Sequence, residues 1–141
     1  METPENSTTP PAKPVRRVLL VEDDEITSTL VRHRLEREGM EVLHLTHGTE
    51  ALDRVQGEMA PQFDLVLLDV KLPGASGFDV LREIRSNAQW AGVPIVMLTG
   101  MGRDADVVRA FELGADEYIH KPFSPVELMA RVQRFFRVRR G

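Results

Sequence analysis

The sequence predicts an α/β protein built as one doubly wound, five-stranded parallel sheet with helices on both faces. Three observations predict it. Short apolar runs alternate five times with stretches of helical period, and the connections between them are short. The run at 63–68 is apolar at every position except Asp64, as a central parallel strand covered on both faces requires.

Taken in order, residues 1–14 hold four of the nine prolines and no apolar period, which predicts a mobile tail. The domain proper is expected over 15–138, with 139–141 a short tail or the start of a linker. The run at 18–21 is strand 1. Ile26, Leu30, Val31 and Leu35 then recur at helical spacing up to Gly39, a C-cap candidate, giving helix 1. Residues 42–45 form strand 2, and Ala51, Leu52 and Val55 line helix 2. After strand 3 at 63–68, a loop through Pro73 and Gly77 leads to helix 3, marked by Phe78, Leu81 and Ile84. Strand 4 is expected at 93–98. Val107, Val108, Phe111 and Leu113 mark helix 4, closed by Gly114. Strand 5 follows at 117–120, and Leu128, Val132, Phe135 and Phe136 mark helix 5.

At 141 residues the chain suits one cored domain rather than two. It has no cysteine, which excludes disulfides and thiol chemistry. No apolar run approaches a membrane span and no signal-peptide core is visible, so a cytoplasmic protein without membrane contact is expected. A formal net charge of -4 gives no general attraction to nucleic acid. Arginines do gather at 131, 134, 137, 139 and 140, but without interleaved stacking aromatics; a solvated helix face explains them better than nucleic-acid contact.

The chemistry sits at the strand ends. Glu22, Asp23 and Asp24 end strand 1, Asp69 ends strand 3, Thr99 ends strand 4 and Lys121 follows strand 5. If these strands are neighbours, their carboxyl ends bring the groups into one crevice, the usual ligand site of an open α/β sheet. Carboxylates there suit Mg2+, and Mg2+ with a lysine suits a phosphoryl group. A carboxylate can attack phosphorus directly, so Asp69 becomes a candidate acceptor. Asp23 and Asp69 would hold the metal and Glu22 would act through a water, which offsets the repulsion between the anionic partners. Lys121 would neutralise a second phosphoryl oxygen and Thr99 would donate its hydroxyl to a third. Each residue also has a structural reading: solvated loop acids, Asp69 as a turn cap, Thr99 closing a turn, Lys121 lying on apolar neighbours. Their coincidence at the ends of the right strands favours the site.

The segments Val21-Glu22-Asp23-Asp24, Leu68-Asp69-Val70-Lys71-Leu72-Pro73-Gly74, Leu98-Thr99-Gly100, Gly114-Ala115-Asp116-Glu117-Tyr118-Ile119 and Lys121-Pro122-Phe123 resemble, in order and spacing, the receiver domains of two-component response regulators. The resemblance covers about residues 16–137 and implies the flavodoxin-like strand order 2-1-3-4-5. It implies phosphorylation at Asp69 from the phosphohistidine of a histidine kinase, from a phosphotransfer protein or from a small phosphodonor. It implies Mg2+, which Mn2+ can replace, bound by Asp23, Asp69 and the backbone carbonyl of Lys71. The same resemblance makes Thr99 and Tyr118 the switch pair and the helix 4, strand 5 and helix 5 surface the face that responds. Such a protein accepts and loses its own phosphoryl group and is not a turnover enzyme.

The C-terminal part, Lys121-Pro122-Phe123-Ser124-Pro125 with Glu127-Leu128 and Ala130-Arg131-Val132, is similar to receivers joined to winged-helix DNA-binding domains. That similarity implies an output domain outside this chain and a homodimer whose ion pairs would come from Arg109, Asp116, Glu117, Glu127 and Arg131. Val107 stands where that class often has a basic residue, so the set is incomplete. Receivers before diguanylate-cyclase domains and free-standing receivers end similarly. Two other readings stay open. A haloacid-dehalogenase-like phosphohydrolase would want an aspartate two residues after its nucleophile, where Lys71 stands. A degenerate receiver acting as a scaffold is disfavoured by the intact pocket residues.

Overall fold

Strands buried on both faces must pair in the interior, as the middle three of this sheet do, with less buried strands at its two edges, and the topology follows. The computed structural model describes residues 15–57, 63–100 and 103–140; the tail expected over 1–14 lies outside the described residues. Strands β1 (Arg17–Val21), β2 (Glu41–Leu45), β3 (Leu65–Leu68), β4 (Ile95–Thr99) and β5 (Glu117–His120) alternate with helices α1 (Glu25–Arg37), α2 (Gly48–Gly57), α3 (Gly77–Ser86), α4 (Asp104–Glu112) and α5 (Pro125–Arg140). All pairings are parallel, in the order β2-β1-β3-β4-β5, as expected.

Side chains alternate across the sheet with period two, which divides the core. Leu19, Val21, Val66, Leu68, Ile95 and Met97 pack under α2, α3 and α4. Val18, Leu20, Leu65, Leu67, Val96 and Leu98 pack under α1 and α5. Register places Val21 beside Leu68 and Leu68 beside Met97, so the residues that follow β1 and β3 emerge together at one edge. Lys121 is tied to the same edge because its amide donates to the Thr99 carbonyl at 3.0 Å.

Several expectations are corrected. β3 starts at Leu65, not 63: the Asp64 carboxylate accepts the Arg17 amide at 2.8 Å, and Phe63 leaves the ladder to pack against Trp90, ring centroids 5.8 Å apart. β4 likewise starts at Ile95 rather than 93, after Pro94, which has no N–H to give a ladder. On α1 the buried residues are Ser28, Val31 and Leu35, while Ile26 and Leu30 face outward at 73% and 56% exposure. On α4 only Ala110 is buried; Val108 and Phe111 are exposed. Gly39 and Gly114 do follow their helices with φ of 89° and 109°.

Arg85 joins α3 to the start of β4 and β5. Its guanidinium donates to the carbonyls of Gly114 at 2.8 Å, Ala91 at 2.8 Å and Val93 at 2.7 Å, and to Asp116 Oδ2 at 2.8 Å. The same Asp116 oxygen accepts the Ile95 amide at 2.8 Å. Asp116 is thus held within its own chain.

Candidate functional site

The ends of β1, β3 and β5 deliver three functional groups to one point. Lys121 Nζ lies 2.8 Å from Glu22 Oε1 and 3.1 Å from Asp69 Oδ2. Glu22, Asp69 and Thr99 are buried, with 0%, 5% and 1% exposure, whereas Asp23 is exposed. Oxygens of Glu22, Asp23 and Asp69 all lie within 4.8 Å of one another. Thr99 ends β4 at the same edge, next to β5.

Local hydrogen bonds orient the acids. Glu22 Oε2 accepts the Asp24 amide at 3.0 Å, so both Glu22 oxygens are engaged. Asp24 points elsewhere: it N-caps α1, its Oδ2 accepting the Thr27 amide at 2.8 Å and also the Thr27 hydroxyl. Those bonds hold its carboxyl below the usual range. A capping residue ahead of a helical period was the signal for that role. Asp69 Oδ1 faces the Lys71 amide at 3.4 Å.

Burial pushes Glu22 up to about 7, against the opposing hydrogen bond from Lys121. Burial alone would lower Lys121, but its bonds and charge contacts with Glu22 and Asp69 outweigh it and raise its pKa. Of the three clustered carboxylates two, Glu22 and Asp69, share the one ammonium and Asp23 does not, and every ligand atom offered is oxygen. That donor set, short of positive charge, fits a hard divalent cation such as Mg2+.

The loop after Asp69 is seated by a contact that tolerates no side chain. A Cβ on Gly77 would stand 2.0 Å from the Asp69 carbonyl oxygen, and the Gly77 amide donates to the Val70 carbonyl at 2.8 Å. Ser76, just before it, closes a capping box with Asp79 that starts α3.

The other predicted residues surround this point. Tyr118 is buried at 6% exposure in the α2, α3 and α4 side of the core, its ring centroid 5.0 Å from that of His120. Burial raises its hydroxyl pKa, helped by the charges of Asp106 and Asp69. Arg109 is placed over the Phe78 ring at 4.3 Å, and both line the cleft that holds Asp23, Asp69, Lys71 and Ser76. Glu117 and Glu127 are paired with Arg131 inside the chain at 3.1 and 3.5 Å, and Glu117 also meets Arg134 at 3.0 Å. A second, apolar groove that helical spacing did not reveal opens beside Lys121, lined by Ile26, Leu30, Pro122, Phe123 and Pro125. Among the described residues no helix is long and apolar enough to cross a membrane.

Residues 18–133 match the family described as response regulator receiver domain. The chain is 45% identical over 121 residues to the phosphate regulon transcriptional regulatory protein PhoB of Rhizobium meliloti, covering 86% of this chain and 52% of that protein. It is 47% identical over 118 residues to the DNA-binding response regulator MtrA of Mycobacterium tuberculosis, covering 84% of this chain and 49% of that protein. The chain therefore spans about half the length of these curated relatives. Among solved structures it resembles the receiver domain of the sensor histidine kinase PA1611 from Pseudomonas aeruginosa, which carries a magnesium ion in its active-site cleft. The TM-score is 0.77 at 30% identity, covering 86% of this chain and 98% of that one.

Proposed function

The chain belongs to the response regulator receiver family, and on that premise we propose that Asp69 is its phosphoacceptor, with Lys121 and Thr99 as the groups that stabilise the transferred phosphoryl. The protein is a phosphorylation-activated signalling receiver that uses Mg2+ and acts on itself rather than turning over external substrate. One observation carries the assignment: Lys121 Nζ bridges Glu22 and Asp69 at 2.8 and 3.1 Å within an all-oxygen cluster.

An Asp69 carboxylate oxygen forms the new bond to phosphorus as the bond from phosphorus to the donor's nitrogen or oxygen breaks, and the electron pair leaves with the donor. Mg2+, when bound, offsets the negative charge shared by the acceptor and the phosphoryl oxygens. Asp23, Asp69 and the Lys71 carbonyl are the groups that would hold it. Glu22, with both oxygens already engaged, suits contact through a water. Lys121 neutralises a phosphoryl oxygen, and the Thr99 hydroxyl donates to another; Tyr118, the expected switch partner, already lies buried in the core. Intact mass after incubation with acetyl phosphate and Mg2+ tests the acceptor chemistry: one added phosphoryl group is expected, and no adduct refutes it.

Asp23→Ala is expected to weaken Mg2+ binding by at least about tenfold, since it deletes an anionic ligand at the open side of the cluster. Calorimetric titration measures this. An unchanged affinity removes Asp23 from the metal site. The metal-free variant is expected to be no less stable than the parent, because one charge leaves a crowded set of acids.

The donor is a histidine kinase or phosphotransfer protein, for which the apolar groove of Ile26, Leu30 and Phe123 beside Lys121 offers a docking surface. For output, the exposed Val108 and Phe111 on α4, together with the Glu117, Glu127 and Arg131 pairs on β5 and α5, support a symmetric dimer through α4, β5 and α5. Similarity to PhoB and MtrA supports an output domain for transcription outside this chain. Exposed ion pairs contribute about 0–1 kcal/mol each, so the dimer is expected to be modest and salt-sensitive. Arg131→Glu places like charge beside Glu117 and Glu127 and weakens it. Sedimentation of the beryllofluoride-treated protein decides: a monomer at high micromolar concentration, or a dimer indifferent to Arg131→Glu, places the output contact elsewhere.

A further inference from the structure

The loop that carries Lys71 is held at both ends by α3, but its middle rests on a different element. The Gly48 amide, the first of α2, donates to the Pro73 carbonyl at 2.9 Å. A Cβ on Gly48 would stand 1.9 Å from the Ala75 carbonyl oxygen, far inside any permitted contact. One residue on, the relation reverses. Gly74, at φ +87°, turns its bare Cα toward Thr49, whose Oγ1 and Cγ2 would lie 2.8 Å from a Cβ placed there. Helix α2 and the loop therefore interlock, a helix glycine against a loop peptide in one direction and a helix side chain against a loop glycine in the other.

This contact is out of proportion to what a surface loop needs. A loop of this length tolerates displacement unless something fixes it, and three residues lie between Asp69 and Pro73. The Lys71 amide is already at a long 3.4 Å from Asp69 Oδ1, so an outward shift of the loop would carry both the amide and the carbonyl of Lys71 away from the acids. A misplacement near 1 Å at a reacting centre is enough to cost on the order of a hundredfold in rate.

We propose that the N-terminus of α2 positions the metal and phosphoryl site, and that Gly48 is the positioning residue through which it acts. The inference rests on reading Asp69 and Lys71 as working groups of the site. No group of α2 need touch the metal or the phosphoryl: the helix sets the height of the loop, and the loop sets Lys71.

The test uses the full chain, Mg2+ titration by calorimetry and acetyl phosphate as donor. Gly48→Ala is expected to weaken Mg2+ binding by about tenfold and slow phosphorylation by about tenfold to a hundredfold. Val55→Ala, which opens a cavity under the same helix at a fully buried position, is expected to lower the melting temperature with Mg2+ affinity unchanged. Gly57→Ala, which meets open space at the other end of α2, is expected to change neither. Should Gly48→Ala not fold, Gly74→Ala serves in its place, and adding Thr49→Ala should restore part of the lost Mg2+ affinity by removing the atoms the new methyl meets. Gly48→Ala binding Mg2+ within twofold of the parent overturns the proposal. So does Val55→Ala shifting the affinity equally, or, if Gly74→Ala is used, a double variant no better than that single one. A parent protein that binds no Mg2+ would instead refute the reading of the site on which this rests.

Discussion

Asp69→Asn is expected to abolish phosphorylation while the domain stays folded. The carboxylate is 5% exposed and touches its surroundings at two places, Lys121 through Oδ2 at 3.1 Å and the Lys71 amide through Oδ1 at 3.4 Å. Asparagine matches its shape and can keep an oxygen toward one of these partners, but its amide nitrogen is no nucleophile toward phosphorus. The charge count also changes in a tolerable direction. Two acids, Glu22 and Asp69, compete for Lys121 in the parent; in the variant Lys121 turns to Glu22 alone, which it already meets at 2.8 Å. Stability should therefore move by no more than about 1 kcal/mol, as for a shape-conserving change that leaves the remaining charge paired. Intact mass after acetyl phosphate and Mg2+ is the measurement, with alkaline treatment to release an acyl phosphate. An equally abundant, base-labile adduct on the asparagine variant would move the acceptor to another carboxylate.

The central sheet was readable because its strands are apolar on consecutive positions and because punctuation between them is regular. Where the reading slipped, the cause is physical. α1 carries two apolar stripes, Ile26 with Leu30 and Val31 with Leu35, and helical spacing alone cannot say which turns inward. The stripe that is buried includes Ser28, a small polar residue whose hydroxyl donates to the Glu25 carbonyl at 3.1 Å, and so gives no hydrophobic signal. α4 shows the same limit: Val108 and Phe111 are apolar yet outside. Asp64 delays the start of β3 through a bond from the Arg17 amide that lies 47 positions away in sequence, a distance no local pattern spans.

The gathering of Glu22, Asp69 and Lys121 was readable for a different reason. Strands that pair in parallel bring the acids and lysine at their ends to one edge, and only the last step of contact is left to rotamers. Asp24 was ambiguous, since an acid after a strand and an acid before a helix are the same residue here. The supports Gly48 and Gly77 were silent: what matters at each is the side chain that is absent, and only the approach of a carbonyl oxygen to 1.9 or 2.0 Å of a would-be Cβ reveals it. Arg85 and Arg131 likewise carry no mark in sequence of which acids they meet.

Lys121→Met is expected to slow phosphorylation by at least about a hundredfold and to alter how stability depends on pH. The rate effect follows from losing a preorganised positive charge at the transferred group, a deletion that costs on the order of a hundredfold to a thousandfold. The stability effect runs through Glu22. Its folded pKa is raised by burial to about 7, above the ordinary 4.5, so the folded state resists its ionisation. The unfolded chain loses that proton first, and stability falls as pH rises from about 4.5 to about 7, then levels once Glu22 is ionised in both states. The parent loses roughly 3 kcal/mol across that window. Lys121 is what keeps the loss bounded, because its ion pair at 2.8 Å favours the ionised acid. Without it the folded pKa of Glu22 rises further, and the decline continues beyond neutral pH. Through Glu22, Lys121→Met should thus differ little from the parent at pH 5, where the folded acid holds its proton in both proteins, and lose up to roughly 1.4 kcal/mol more by pH 8, one pH unit above the parent's folded value. Urea unfolding at pH 5, 6, 7 and 8 without Mg2+ measures the divergence. Parallel curves for the two proteins would mean that Lys121 does not govern the charge of Glu22, and that the ammonium is placed there for the phosphoryl group alone.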